Sequence, residues 1–156
     1  MKTVLVTGAK GFVGRNLCCV LRRRDDVKLF EYDIDSTPDE LTTALSEADV
    51  IFHLAGVNRP KNVTEFQEGN AGFTGDICRR LLDMGRTPKI VITSSIQAEL
   101  DNPYGVSKRG AELALQEFAE QSGAEAVVYR LKNLFGKWCR PNYNSVTATF
   151  CYNITH

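Results

Sequence analysis

The chain lacks any apolar run long enough to cross a bilayer: residues 3–7 and 89–93 are among its longest, and a spanning helix needs about 20. It also lacks an excess of either charge, with 19 Lys plus Arg against 19 Asp plus Glu. No net field therefore draws it to nucleic acid or to an anionic membrane. Metal-ligand patterns are missing too. The two histidines, His53 and His156, stand alone, and none of Cys18, Cys19, Cys78, Cys139 and Cys151 falls in a C-x-x-C or Cys/His spacing. The thiols read as reduced and structural, and no metal is expected. Met1 and Lys2 lead straight into an apolar strand rather than a signal peptide, which makes the cytoplasm the expected compartment. What is present, 43% hydrophobic and 24% charged residues in a chain of 156, is the composition of one soluble globular domain.

The first pattern is strand, glycine turn, helix. Residues 3–7 are apolar and β-branched, Gly8-Ala9-Lys10-Gly11-Phe12-Val13-Gly14 follows, and helical spacing then runs through Leu17, Val20 and Leu21. Gly8 permits a tight turn, Gly11 the close approach of a pyrophosphate, and Gly14 the packing of helix on strand, with phosphate at the helix N-terminus. Phe12 and Val13 share that cradle. The expected cofactor is NADP(H) or NAD(H). A second strand, residues 27–32, ends in Glu31, Asp33 and Asp35, where a carboxylate accepts the adenosine ribose hydroxyls and repels a 2′-phosphate. Lys10 pulls the other way, since a cation in the loop can reach a 2′-phosphate. A solvated strand end is the bland alternative for the acids.

Thr37-Pro38-Asp39-Glu40 reads as a capping box opening a helix through Leu41, Ala44 and Leu45. Residues 50–56 read as a buried parallel strand ending in Leu54, Ala55 and Gly56, where small side chains let backbone pass beside a cofactor. His53 within it reads as a satisfied histidine rather than a catalyst. A polar loop follows with Asn58 and Arg59, then a helix from about Asn70 to Met84. Asn70 either tethers neighbouring backbone through its amide or caps that helix. Strand 89–93 delivers Ser94 and Ser95 to the carboxyl edge of the sheet, where ligands bind in open parallel sheets. A serine pair there is also ordinary turn chemistry.

Asn102-Pro103-Tyr104-Gly105-Val106-Ser107-Lys108 puts a tyrosine and a lysine four residues apart at a helix start, with apolar spacing continuing to Phe118 and a stop at Gly123. On one helix face the Lys108 ammonium is expected to favour the Tyr104 phenolate and lower its pKa. A pair that merely decorates a solvated face is the alternative. Strand 126–130 and a loop rich in amides and cations come next. That loop, with Asn133, Lys137, Trp138, Arg140 and Asn144, suits sugar and phosphate recognition, although Trp138 alone could cover an edge. A last helix is expected over residues 146–154. With only one helix between the second and third strands, the fold expected is an α/β doubly wound parallel sheet of Rossmann type, five strands ordered 2-1-3-4-5, with right-handed crossovers.

Gly8-x-x-Gly11-x-x-Gly14, His53-Leu54-Ala55-Gly56, Ser94-Ser95, Tyr104-x-x-x-Lys108 and Arg130-x-x-Asn133-x-x-Gly136 together resemble the extended short-chain dehydrogenase/reductases (the NAD-dependent epimerase/dehydratase family) that act on nucleotide sugars. Residues 53–60, 94–98 and 133–145 look most like the capsular polysaccharide reductases of the UDP-N-acetyl-L-fucosamine pathway. The resemblance implies NAD(P)H-dependent reduction of the 4-keto group of a UDP-2-acetamido-2,6-dideoxy-hexos-4-ulose. Tyr104, Lys108 and Ser95 would be catalytic, and Asn58, Arg59, Ser95, Asn133, Lys137, Trp138, Arg140 and Asn144 would face the UDP-sugar. It also implies a truncated domain, residues 1–156 being an N-terminal fragment without the substrate-binding subdomain and C-terminal cupin of that family, and it admits a homodimer. A 4-epimerase or 4,6-dehydratase is the neighbouring enzyme reading. A cofactor-binding module inactive as a fragment is the reading from another class.

Overall fold

The computed structural model describes all of residues 1–156. In chain order it runs β1 (Lys2–Thr7), α1 (Phe12–Leu21), β2 (Val27–Tyr32), α2 (Pro38–Glu47) and β3 (Val50–His53). A continuous helical stretch follows: one short turn, α3 (Thr64–Phe66), a π-helical segment (Gln67–Gly72) and α4 (Phe73–Asp83). Then come β4 (Lys89–Ser95), a 3-10 turn (Ile96–Glu99), α5 (Pro103–Ser122), β5 (Ala126–Leu131) and α6 (Val146–Thr155). The five strands form one parallel sheet in the order β2-β1-β3-β4-β5, the doubly wound arrangement that the element pattern predicts.

Strand alternation divides the core between the two faces of the sheet. Leu5, Ile51, Ile90 and Ile92 point to one face and pack with Leu41 and Leu45 of α2, Ile77 and Leu81 of α4, and Leu115 and Phe118 of α5. Val4 and Val6 point to the other, against Cys18, Leu17 and Leu21 of α1. Strands covered on both faces read as unbroken apolar runs, as residues 4–6, 50–52 and 90–92 do. Full burial of Phe118 and Leu115 stabilises the docking of α5 by about 1.5–3 kcal/mol each. All five cysteines are free; burial pushes the Cys18 thiol up to about 11 and Cys78 up to about 12, leaving both as inert packing groups.

Local signals set the helix ends. The Thr37 hydroxyl accepts from the Glu40 N–H at 3.3 Å while the Thr37 N–H donates to the Glu40 carboxylate at 2.6 Å, completing the capping box of α2. Asn102 caps α5 by accepting from the Gly105 N–H at 2.7 Å, and Gly123 ends it in the left-handed conformation, φ 71°. The helix expected from Asn70 instead starts at Thr64, so Asn70 is no cap. It sits inside the π-helical segment, 2% exposed, and its amide is used for tethering. No helix is long and apolar enough to cross a membrane, and no group of three or more His, Cys, Asp or Glu side chains is placed to hold a metal.

Candidate active site

The carboxyl ends of β1, β3 and β4, the start of α5 and the loop after β5 enclose one cleft of roughly 600 Å³, within the usual range for ligand pockets. Its floor is the glycine turn. Gly8 adopts φ 70°, and a Cβ added there would lie 2.7 Å from the Ala55 nitrogen; one on Gly14 would lie 2.1 Å from the Gly8 carbonyl oxygen. Both positions therefore require the bare backbone. Ala55 forms the wall behind Gly8, while Leu54 and Gly56 line the cleft beside it. Gly11, Phe12, Val13 and Gly14 also face the cleft. No side chain caps α1 at Gly11 and no acid occupies its first turn. A free helix N-terminus opening on a cleft fits the pyrophosphate of a dinucleotide.

The acids after β2 behave differently from one another. Asp33 accepts the Lys10 backbone N–H at 2.7 Å, and Asp35 binds the Lys10 ammonium. Glu31, expected at the ribose, is instead turned to Arg22 in a two-pronged pair, 2.8 and 2.6 Å, and neither it nor Asp33 lines the cleft. An arginine fork nine residues away in sequence offers this carboxylate a stronger partner than an open edge does. Lys10 and its acids thus neutralise one another, which removes the simple charge rule for choosing between the two dinucleotides.

On the opposite wall, β4 places Ser94 and Ser95, and the first turn of α5 places Tyr104 and Lys108, all on the cleft. The expected through-space lowering of the Tyr104 pKa by Lys108 is absent. Burial pushes the phenol up, the Ser95 hydroxyl pulls it down, and burial prevails. The ammonium is used elsewhere: it donates to the Thr93 carbonyl at 2.9 Å, and burial lowers its pKa to about 8. Sharing a helix face gave the two side chains proximity, but the lysine's long stem reaches the strand beneath. Phe66 packs against the Tyr104 ring, centroids 5.6 Å apart.

A buried polar chain supports this wall. The Asn70 amide accepts from the Val57 N–H at 3.0 Å and donates to the Val57 carbonyl at 3.1 Å and the Ser107 hydroxyl at 2.9 Å. It thereby ties the loop after β3 to α5. His53, 4% exposed, shares hydrogen bonds with Thr7 at 2.7 Å and Thr74 at 3.0 Å, and burial pushes its pKa down to about 3. It is a satisfied neutral histidine with no face on the large cleft.

The loop after β5 forms the rim. Asn133, Trp138, Arg140 and Asn144 line the cleft together with Asn58 from the loop after β3. Arg59 and Lys137 do not line it; they fasten the rim. Arg59 donates to Asn144 at 3.1 Å and to the Tyr143 carbonyl, with its guanidinium 4.7 Å from the centre of the Tyr143 ring. The Lys137 carbonyl accepts from the Asn16 amide at 2.9 Å, and Trp138, at φ 68°, is flanked by Arg15 and the Lys137 ammonium, 4.7 and 4.5 Å from its ring centre. Beside the neutralised Lys10, the cations Arg15, Lys108, Lys132 and Arg140 line the cleft and no acid does, although the chain as a whole is neutral. The cleft is therefore a local trap for polyanions. Arg15, Lys132 and the Ser107 tether escaped the motif reading, because nothing in their local sequence marks them.

Sheet order and glycine turn define a Rossmann-like α/β domain. The chain belongs to the NAD dependent epimerase/dehydratase family, whose model matches residues 4–156. It is 50% identical over 151 residues to a UDP-2-acetamido-2,6-beta-L-arabino-hexul-4-ose reductase from Pseudomonas aeruginosa, an alignment covering 97% of this chain and 41% of the reductase. Among solved structures it is similar to the capsular polysaccharide assembling protein CapF from Staphylococcus aureus, with TM-score 0.84, 50% identity, and coverage of 97% of this chain and 41% of CapF. It is also similar to MoeE5 in complex with UDP-glucose and NAD, with TM-score 0.71, 27% identity, and coverage of 90% and 57%. The chain thus spans about two fifths of the length of the reductase it matches.

Proposed function

We propose that this chain is the dinucleotide-binding and proton-donating part of a reductase acting on the 4-keto group of a UDP-2-acetamido-2,6-dideoxy-hexos-4-ulose. The observation that carries the reading is the convergence of the Gly8–Gly14 turn, Ser95, Tyr104 and Lys108 on one cation-lined cleft. The 50% identity to the hexul-4-ose reductase supports the substrate class. A reduced NAD or NADP, when bound, supplies the hydride.

The chain's own residues supply the rest. Reduction needs an acid that arrives protonated, and burial keeps the Tyr104 phenol in that form. The phenol gives its proton to the oxygen that becomes the new hydroxyl, while the Ser95 hydroxyl donates a hydrogen bond to the same oxygen as charge develops on it. Lys108, charged below about pH 8 and held at the cleft by the Thr93 carbonyl, is the donor for the nicotinamide ribose of a bound dinucleotide. Asn58, Asn133, Trp138, Arg140 and Asn144 face the sugar nucleotide from the rim, with Arg59 and Lys137 holding that rim in place. The assignment goes with action in the cytoplasm on a soluble nucleotide sugar, with self-association into a homodimer, and with a sugar-binding subdomain and a cupin outside these residues.

Calorimetric titration with NADPH and with NADH, followed by the loss of reduced-nicotinamide absorbance on adding the 4-keto sugar nucleotide, tests the reading. Binding of one dinucleotide and turnover that depends on Tyr104 are expected. A folded chain that binds neither dinucleotide overturns the proposal.

A further inference from the structure

Glu112 of α5 belongs to no part of the chemistry described so far, yet it is the most heavily engaged carboxylate near the cleft. Arg130 of β5 grips it with a fork, Nη2 to Oε2 at 2.6 Å and Nε to Oε1 at 3.0 Å, and the Ser94 hydroxyl donates to its Oε1. Arg130 also reaches Glu99 at 3.0 Å. The Glu99 side chain is 72% exposed whereas that of Glu112 is 12% exposed, so of the two carboxylates only Glu112 faces inward. It stands one helical turn beyond Lys108, on the same face of α5. Ser94, which it holds, directly follows Thr93, whose carbonyl receives the Lys108 ammonium.

We propose that Glu112 is a positioning residue for the proposed reduction: anchored by Ser94 and Arg130, it supplies the negative charge that keeps the Lys108 ammonium charged and seated on the Thr93 carbonyl. This rests on the role assigned to Lys108 above. The surroundings of Lys108 leave no other carboxylate for the task. From β3 it meets His53, which burial keeps neutral; from its own helix it meets Tyr104, also neutral; from the π-helical segment it meets only the Asn70 amide, and from β4 Thr93 and Ser94. Arg130 lies beyond Glu112 and contributes a positive charge. Burial of Glu112 pushes its pKa up, and the Arg130 and Ser94 hydrogen bonds together outweigh that and hold the carboxyl below its ordinary range. Its charge also opposes the lowering of the Lys108 pKa that burial imposes.

The alternative is a purely mechanical role, a fork that fastens α5 to β5. The two differ in sign when either partner is neutralised. In the unliganded chain carrying isotope-labelled lysine Cε, with the Lys108 signal assigned by its loss in Lys108→Met, an NMR pH titration reads the ammonium directly and requires no turnover. Glu112→Gln is expected to lower the Lys108 pKa by about 1 unit. Arg130→Gln breaks the same fork but removes a positive charge, and is expected to leave that pKa unchanged or raise it. Glu112→Asp, which keeps the charge, is expected to restore most of the loss and serves as the reading if the Gln variant does not fold. In turnover assays the alkaline limb should move to lower pH in Glu112→Gln and not in Arg130→Gln. An unchanged Lys108 pKa in Glu112→Gln, or equal falls in both variants, overturns the proposal. Because the titration is done without cofactor or substrate, its failure is separable from failure of the reductase reading.

Discussion

The two walls of the cleft are built on opposite principles. The glycine turn is made by omission: Gly8 and Gly14 work because a Cβ would enter backbone atoms at 2.7 and 2.1 Å. The α5 wall is made by addition, with Tyr104, Lys108, Ser95, Asn70, Ser107 and Glu112 each placed by a named hydrogen bond or by burial. A wall defined by excluded volume tolerates or fails, with little between. One defined by charge and hydrogen bonds can be adjusted by degrees, by pH or by a neighbour. The difference teaches that binding and chemistry in this cleft should respond separately to mutation.

Four measurements sharpen or break that contrast. Gly14→Val should have the largest effect, a loss at or above the roughly 3 kcal/mol end of overpacking costs, because backbone at 2.1 Å cannot yield; denaturant melts and dinucleotide titration should fail together. A folded variant that still binds would show that the turn is less rigid than described. Tyr104→Phe should leave dinucleotide binding within about twofold and lower turnover by about 100- to 10,000-fold. Calorimetry beside steady-state kinetics separates the two, and equal losses in both would end the division of labour.

The third concerns His53, which links Thr7 at the end of β1 to Thr74 on α4. Its pKa falls from 6.5 unfolded to about 3 folded, so between these values the unfolded chain binds the extra proton. Stability is complete above about pH 6.5 and is lost as pH falls toward 3, by about 1.4 kcal/mol per pH unit from this group alone. Melts between pH 7 and 5, before the carboxylates titrate, should show this slope in the native chain and a flatter one in His53→Gln. The smallest effect is expected for Glu31→Gln. Its pairing with Arg22 lies on the surface and away from the cleft, so stability should change by less than about 1 kcal/mol and dinucleotide affinity by less than twofold. A large loss of affinity would return Glu31 to the ribose.

The sheet, the glycine turn, the capping box of α2 and the limits of α5 were legible in the sequence because each is encoded within a few consecutive residues. The failures share the opposite property. A π-helical segment at Gln67–Gly72 has no local marker; its function is to bring the buried Asn70 amide between Val57 and Ser107, and the latter partner is 37 residues away. Ser94 and Arg130 meet Glu112 across 18 residues each, and Arg59 meets Asn144 across 85. The pairing of Tyr104 with Lys108 was legible as a shared helix face. Its electrostatic outcome was not, since that depends on how deeply fold-wide packing buries the phenol and on a carbonyl from β4.

The link between Asn16 and Lys137 closes a span of 121 residues, the widest among the side-chain hydrogen bonds at the cleft. Loop-closure entropy grows with span, so contacts of this kind come late in folding, after the local turns and neighbouring strands have formed. The rim is then the last piece to settle and the first to come loose. A molecule can carry a complete sheet, a complete glycine turn and an ordered α5 while its cleft still stands open on the side of Trp138. Gain of binding competence should therefore lag behind gain of secondary structure, and the fraction of chains able to hold a ligand will be smaller than the fraction that are folded.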